Sequence, residues 1–124
     1  IYHLLMKKRD DLGMDKFNFS YEKKPVVDGV EINIKTDFTI YCNNKVWYWE
    51  HLGLLGQRKY TWIWQTLKKN TYQKAGIWDS ILTTDETNGI IPAKIEATIN
   101  LIVDNEVKTE DKHNQYSNHH YYLR

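Results

Sequence analysis

The sequence predicts a single α/β domain, a central mixed β-sheet flanked by helices. Short runs of alternating apolar and polar residues begin near Phe17, Val30 and Thr36, the period of a half-buried strand. Apolar positions at helical spacing recur at the start, middle and end of the chain. A strand–helix–strand order between Glu50 and Ile81 implies a parallel pair, because parallel neighbours need a long crossover. At 124 residues the chain fits one domain and can build a real core. Residues 1–105 are expected to form that domain. Residues 106–124 are polar, with His113, His119 and His120 among tyrosines, and are expected to be a loosely ordered tail or to belong to a neighbouring element.

The elements follow in order. Residues 1–14 read as an amphipathic helix with Leu4, Leu5 and Tyr2 inward, Lys7, Lys8 and Arg9 outward, and Gly13 as its stop. Residues 17–22 alternate as a strand ending at Glu22, residues 24–29 turn the chain, and residues 30–35 alternate as a second strand. Thr36–Cys42 and residues 45–50 are β-branched and aromatic, and only Asn43-Asn44 separates them. Two residues that tolerate positive φ between two such runs predict a tight hairpin with a type I′ turn. Gly53 and Gly56 mark a loop, and residues 58–75 read as a helix closed by Gly76 at C′. On that helix Tyr60, Trp64, Lys68 and Tyr72 recur every four residues and share a face. Residues 78–84 read as a strand, Asn88-Gly89 as a turn, and Pro92 as the opening of a last helix carrying Ile95, Ile99 and Ile102.

The hairpin makes a chemical prediction. Counting outward from the turn, Cys42 faces Lys45, Tyr41 faces Val46, and Asp37 falls opposite Glu50. Directly opposed residues have Cβ atoms roughly 4.5–5.5 Å apart on one face. Two like charges there destabilise the pair unless something positive sits between them, and a divalent cation held by carboxylates meets that need. The alternative is an edge where both acids point into water. Lys68, on the following helix beside Tyr72, is the candidate for charge stabilisation or water activation, with Lys35, two residues before Asp37, as its rival. Glu22 ends the preceding strand and offers a possible third carboxylate. His51 follows Glu50 and is expected to point to the opposite face, where a structural hydrogen bond awaits it.

Other chemistries fit poorly. Gly53 and Gly56 lack the Gly-Lys-Ser/Thr of a phosphate loop. One cysteine and the tail histidines make no closed zinc site. Cys42 sits at a hairpin turn with no histidine placed to activate it, and a lone cysteine cannot form an internal disulfide, in keeping with a cytoplasmic setting. No apolar run approaches the ~20 residues of a membrane span, and the start of the chain lacks the order of a signal peptide. Beginning at Ile1 is expected of a domain within a longer protein. The net charge of +1 conceals an asymmetry: residues 1–74 hold 13 Lys/Arg against 8 Asp/Glu, residues 75–124 hold 4 against 8. A basic half beside an acid pair suits a polyanion such as DNA. Lys7, Lys8, Arg58, Lys59 and Lys69 are candidates for contacts to its backbone.

Thr36-Asp37-Phe38-Thr39-Ile40, then Tyr48-Trp49-Glu50-His51-Leu52-Gly53, then Lys68 and Tyr72 four residues later, together resemble the PD-(D/E)XK nuclease superfamily, in particular the RecB-like domain associated with Rep-type helicases. Tyr21-Glu22 upstream and Ile81-Leu82-Thr83-Thr84 downstream occur in the same order. The resemblance covers residues 15–100. It implies a restriction-endonuclease-like core and a Mg²⁺- or Mn²⁺-dependent deoxyribonuclease, joined to a helicase or other DNA-processing chain. It implies that Asp37, Glu50 and the main-chain carbonyl of His51 hold the metal. Thr36 replaces the usual proline and Leu52 occupies the usual lysine position. The lysine role then passes to Lys68, in a pattern similar to the Gln-xxx-Tyr motif of RecB-like nucleases, with Tyr72 supporting it. A catalytically inactive nuclease fold that binds DNA or docks a protein is the competing expectation.

Overall fold

The computed structural model describes residues 1–52, 67–85, 89 and 91–107. The chain opens with helix α1 (Tyr2–Leu12), followed by strand β1 (Phe17–Lys23), a two-stranded ribbon of β2 (Val26–Val27) and β3 (Val30–Glu31), and the hairpin strands β4 (Thr36–Cys42) and β5 (Lys45–His51). Helix α2 (Lys69–Lys74), a 3₁₀ turn at Trp78–Ser80, strand β6 (Ile81–Thr84) and helix α3 (Pro92–Val103) complete it. The main sheet runs β1-β4-β5-β6, antiparallel except for the parallel pair β5–β6. The expected mixed sheet between helices is therefore present.

Local chemistry explains the boundaries. Gly13 takes φ 87° after α1, and its N–H returns to the Arg9 carbonyl at 2.8 Å. After α2, Gly76 takes φ 79°; its N–H bonds the Gln73 carbonyl and the Ile77 N–H bonds the Tyr72 carbonyl, both at 3.1 Å. That pair of bonds is the Schellman motif, whose left-handed position favours glycine. Asn43 and Asn44 take φ 56° and 59° and bring Cys42 opposite Lys45, as the sequence predicts. Pro92 sits in the first turn of α3.

Two strand expectations need correction. Only Val30–Glu31 of the predicted 30–35 strand pairs, and it pairs with Val26–Val27 rather than joining the main sheet. Asp28 and Gly29, at φ 51° and 79°, make their own tight turn, so the alternation there serves a small ribbon. The predicted 78–84 strand begins only at Ile81, because Trp78–Ser80 close as a 3₁₀ turn. The loop at Gly53 and Gly56, the 58–66 part of the predicted helix, Asn88 and the tail from residue 108 lie outside the described residues.

Side-chain alternation divides the sheet into two faces. Phe17, Phe19, Phe38, Ile40, Trp49 and Leu82 pack with Leu5 of α1 and with Ile95, Ile99 and Ile102 of α3. On the other face Tyr48 and Ile81 pack with Tyr72 of α2, together with Ile32, Leu52 and Ile77. Ile99 is fully enclosed at 1 % exposure. Ile99→Ala is expected to cost about 2–5 kcal/mol, from lost burial and the cavity left behind. Chemical denaturation would show this as a lower midpoint with an unchanged slope.

Candidate functional site

The acids occupy the open end of the β4–β5 hairpin. The paired ladder runs from Cys42↔Lys45 to Phe38↔Trp49, and at the next rung side chains replace the backbone pairing. The Asp37 N–H donates to Glu50 Oε1 at 3.0 Å, and the His51 N–H donates to Asp37 Oδ2 at 2.6 Å. Each strand's carboxylate therefore accepts from the other strand's main chain. This fixes both acids without a crosslink and satisfies donors that a widening hairpin would otherwise leave unpaired.

Glu50 is 1 % exposed, and Lys68 Nζ donates to its Oε2 at 2.6 Å. Lys68 immediately precedes α2 and Tyr72 lies one turn later, so both reach the same spot, as i,i+4 spacing allows. Burial pushes the Glu50 carboxyl above its ordinary value of 4.5, and the nearby Lys68 ammonium offsets only part of that push. Burial also pushes the Tyr72 phenol up, and the negative charges of Glu50 and Asp37 add to it. Tyr72 is thus held neutral and able to donate.

Of the sequence candidates, Asp37, Glu50, Lys68 and Tyr72 converge here. Lys35 is exposed and lies just outside β4. Glu22 is exposed and takes a left-handed φ of 49°, and its carboxylate pushes the neighbouring Tyr21 phenol up. Among the described residues no group of three or more His, Cys, Asp or Glu side chains is placed to hold a metal. Leu52, at 3 % exposure, is a core residue. Burial raises the Cys42 thiol, which leaves it inert. Lys7 and Lys8 lie on α1, which packs on the other face of the sheet from the acids. Lys69 stands 5.3 Å from the Trp78 ring centre, while Arg58 and Lys59 lie outside the described residues.

His51 turns away from the acids, as alternation predicts, and its Nδ1 lies 2.8 Å from Thr84 Oγ1. Thr84 also accepts from Trp49 Nε1 at 2.9 Å. Sequence reasoning missed Thr84, since only the parallel pairing of His51 with Thr84 brings it there. The same pairing sets Thr83, 6 % exposed, beside Glu50.

The donor set fits a small hard cation. A carboxylate oxygen offers two lone pairs, so the bonds above leave acceptor capacity on both acids. Mg²⁺ commonly takes one or two carboxylates and keeps waters for the rest. No family model matches the chain, and no curated protein or solved structure matches it either.

A pH dependence follows from Glu50. Below about 4.5 its carboxyl is neutral in folded and unfolded chains alike. Its folded pKa is raised, so the unfolded chain ionises first as pH rises, and stability falls until the folded group has ionised too. Glu50→Gln is expected to flatten that fall. The measurement is the urea midpoint of both proteins at a series of pH values from 4 upward.

Proposed function

We propose that this chain is a metal-dependent deoxyribonuclease domain with a restriction-endonuclease-like core, working as part of a larger DNA-processing or helicase-linked protein. The supporting observation is the ammonium of Lys68, 2.6 Å from a buried Glu50 that shares a hairpin rung with Asp37. Two carboxylates and a lysine on one spot are the minimum for phosphodiester hydrolysis by this chemistry: anionic ligands for the ion and a cation for the developing phosphorane charge.

Asp37 and Glu50, with the His51 carbonyl, would hold Mg²⁺ or Mn²⁺, which when bound acidifies a water and neutralises phosphate charge. Lys68 orients that water or stabilises charge on the phosphate oxygens. Tyr72, neutral and buried beside the acids, adds no charge to the site. The main-chain bonds across the rung keep both acids aimed while the substrate changes charge. Glu22, exposed and turned to Tyr21, has no part in this reading.

A second reading has its own support. Both Glu50 oxygens already accept a protein donor, and Leu52 stands where the resembled family usually carries its lysine. A nuclease fold that binds DNA without cutting it would show both features.

Cleavage of supercoiled plasmid with Mg²⁺, Mn²⁺ or EDTA separates the two. The nuclease reading expects metal-dependent nicking that falls at least ~100-fold in Asp37→Ala and by a similar factor in Lys68→Ala, the scale of removing one preorganised charge-stabilising group. Circular dichroism confirms that each variant is folded. Folded wild-type protein that nicks nothing with either metal, yet retards DNA in a gel, would overturn it in favour of the binding module.

A further inference from the structure

A groove on the acid-bearing face of the sheet stands unused by the chemistry above. It encloses about 170 Å³ and is bordered by Lys23, Lys24, Thr39, Tyr41, Val46 and Tyr48. Thr39 and Tyr48 form one rung of the hairpin, and Asp37 and Glu50 lie two residues further along each strand. At ~3.3 Å per residue the Thr39–Tyr48 rung is ~7 Å and the Tyr41–Val46 rung ~13 Å from the acid pair on the same surface.

Strained backbone builds one wall. Phe17 and Phe19 alternate into the core beneath α1, and unbroken alternation would send Lys23 to that side as well. Glu22 instead takes φ 49°, a conformation that costs a non-glycine residue energy and persists only where its surroundings impose it. Beyond it Lys23 stands over Tyr41, with Nζ 3.3 Å from the hydroxyl and 5.9 Å from the ring centre. Lys24 is tied to Glu31 at 3.9 Å and Asn33 at 3.0 Å. No carboxylate among the described residues pairs with Lys23. Opposite it, Val46 leaves an apolar side chain 38 % exposed.

We propose that this groove is a nucleotide subsite for a single DNA strand, holding a residue within about two nucleotides of the phosphate at Asp37 and Glu50. Lys23 takes a backbone phosphate, while the Tyr41 ring and Val46 carry the base or sugar. A cationic wall with an aromatic surface is the arrangement that holds single strands without reading sequence. The space, about 170 Å³, is on the scale of one nucleotide base rather than of a paired helix. Charge is complementary and graded: the phosphate meets Lys23 first and reaches the acids only where a cation offsets them. This assignment rests on the nuclease reading for which phosphate is cut, but strand binding is separable from cutting.

The test is fluorescence anisotropy of a labelled oligo-dT 12-mer and of a duplex of equal length, in EDTA so that no cutting occurs. Wild type is expected to bind the single strand more tightly than the duplex. Tyr41→Ala should weaken it ~5- to 100-fold, and Lys23→Gln should lower the slope of log affinity against log salt by ~0.7, one phosphate contact on a single strand. Val46→Glu changes an exposed side chain, does not threaten folding, and should weaken binding by placing a negative charge in the groove. If plasmid is cut but all three groove variants bind like wild type, or the duplex binds as tightly as the single strand, the subsite is wrong and the nuclease reading stands. If the strand binds through these residues and nothing is cut, the subsite stands and the catalytic reading falls.

Discussion

The reciprocal bonds between Asp37 and Glu50 across the hairpin are what the rest of the site depends on. At 3.0 Å and 2.6 Å, each carboxylate accepts an N–H from the opposite strand. Two like charges on adjacent strands normally push a hairpin open. Here the repulsion is offset locally by main-chain dipoles and, on Glu50, by the Lys68 ammonium. Removing Lys68 leaves the Glu50 charge uncompensated in a buried position, and a buried charge left alone costs more than the pair gains.

That arrangement binds distant parts of the chain into one unit. Glu50 takes its positive partner from the segment that crosses between β5 and β6, so the parallel pairing and the site support each other. Tyr48 and Ile81 pack under Tyr72, which positions Lys68 one turn earlier. Among the described residues the larger apolar cluster lies on the opposite face, against α1 and α3. On the acid-bearing face the packed residues give way to charge at the edge.

The backbone at Glu22 and the turns at Asn43-Asn44 and Asp28-Gly29 shape the surface around the acids. All take positive φ. In the two turns asparagine, aspartate and glycine tolerate this readily, whereas Glu22 has no such ease and must be held by its surroundings. Its effect is to move Lys23 from the core side to the groove side, where it meets Tyr41 and no carboxylate among the described residues pairs with it.

The hairpin, its register and the meeting of Asp37 with Glu50 were legible in the sequence, because a two-residue turn of asparagines fixes every rung from local geometry. So were the Gly13 and Gly76 helix stops, the opening of α3 at Pro92 and its three buried isoleucines, since capping and 3.6-residue periodicity are properties of neighbouring residues. Other features were not. Choosing Lys68 over Lys35, turning Glu22 outward and bringing Thr84 to His51 all depend on how a crossover packs and on a twist forced by neighbours. Residues 30–35 alternated like a strand, yet the Asp28-Gly29 turn gave them a nearer partner than the sheet. The sequence alone determined the paired acids, because hairpin register is a local count. Only the tertiary structure decided which cation they meet and how deeply Glu50 is buried, because both follow from long-range packing that no local spacing encodes.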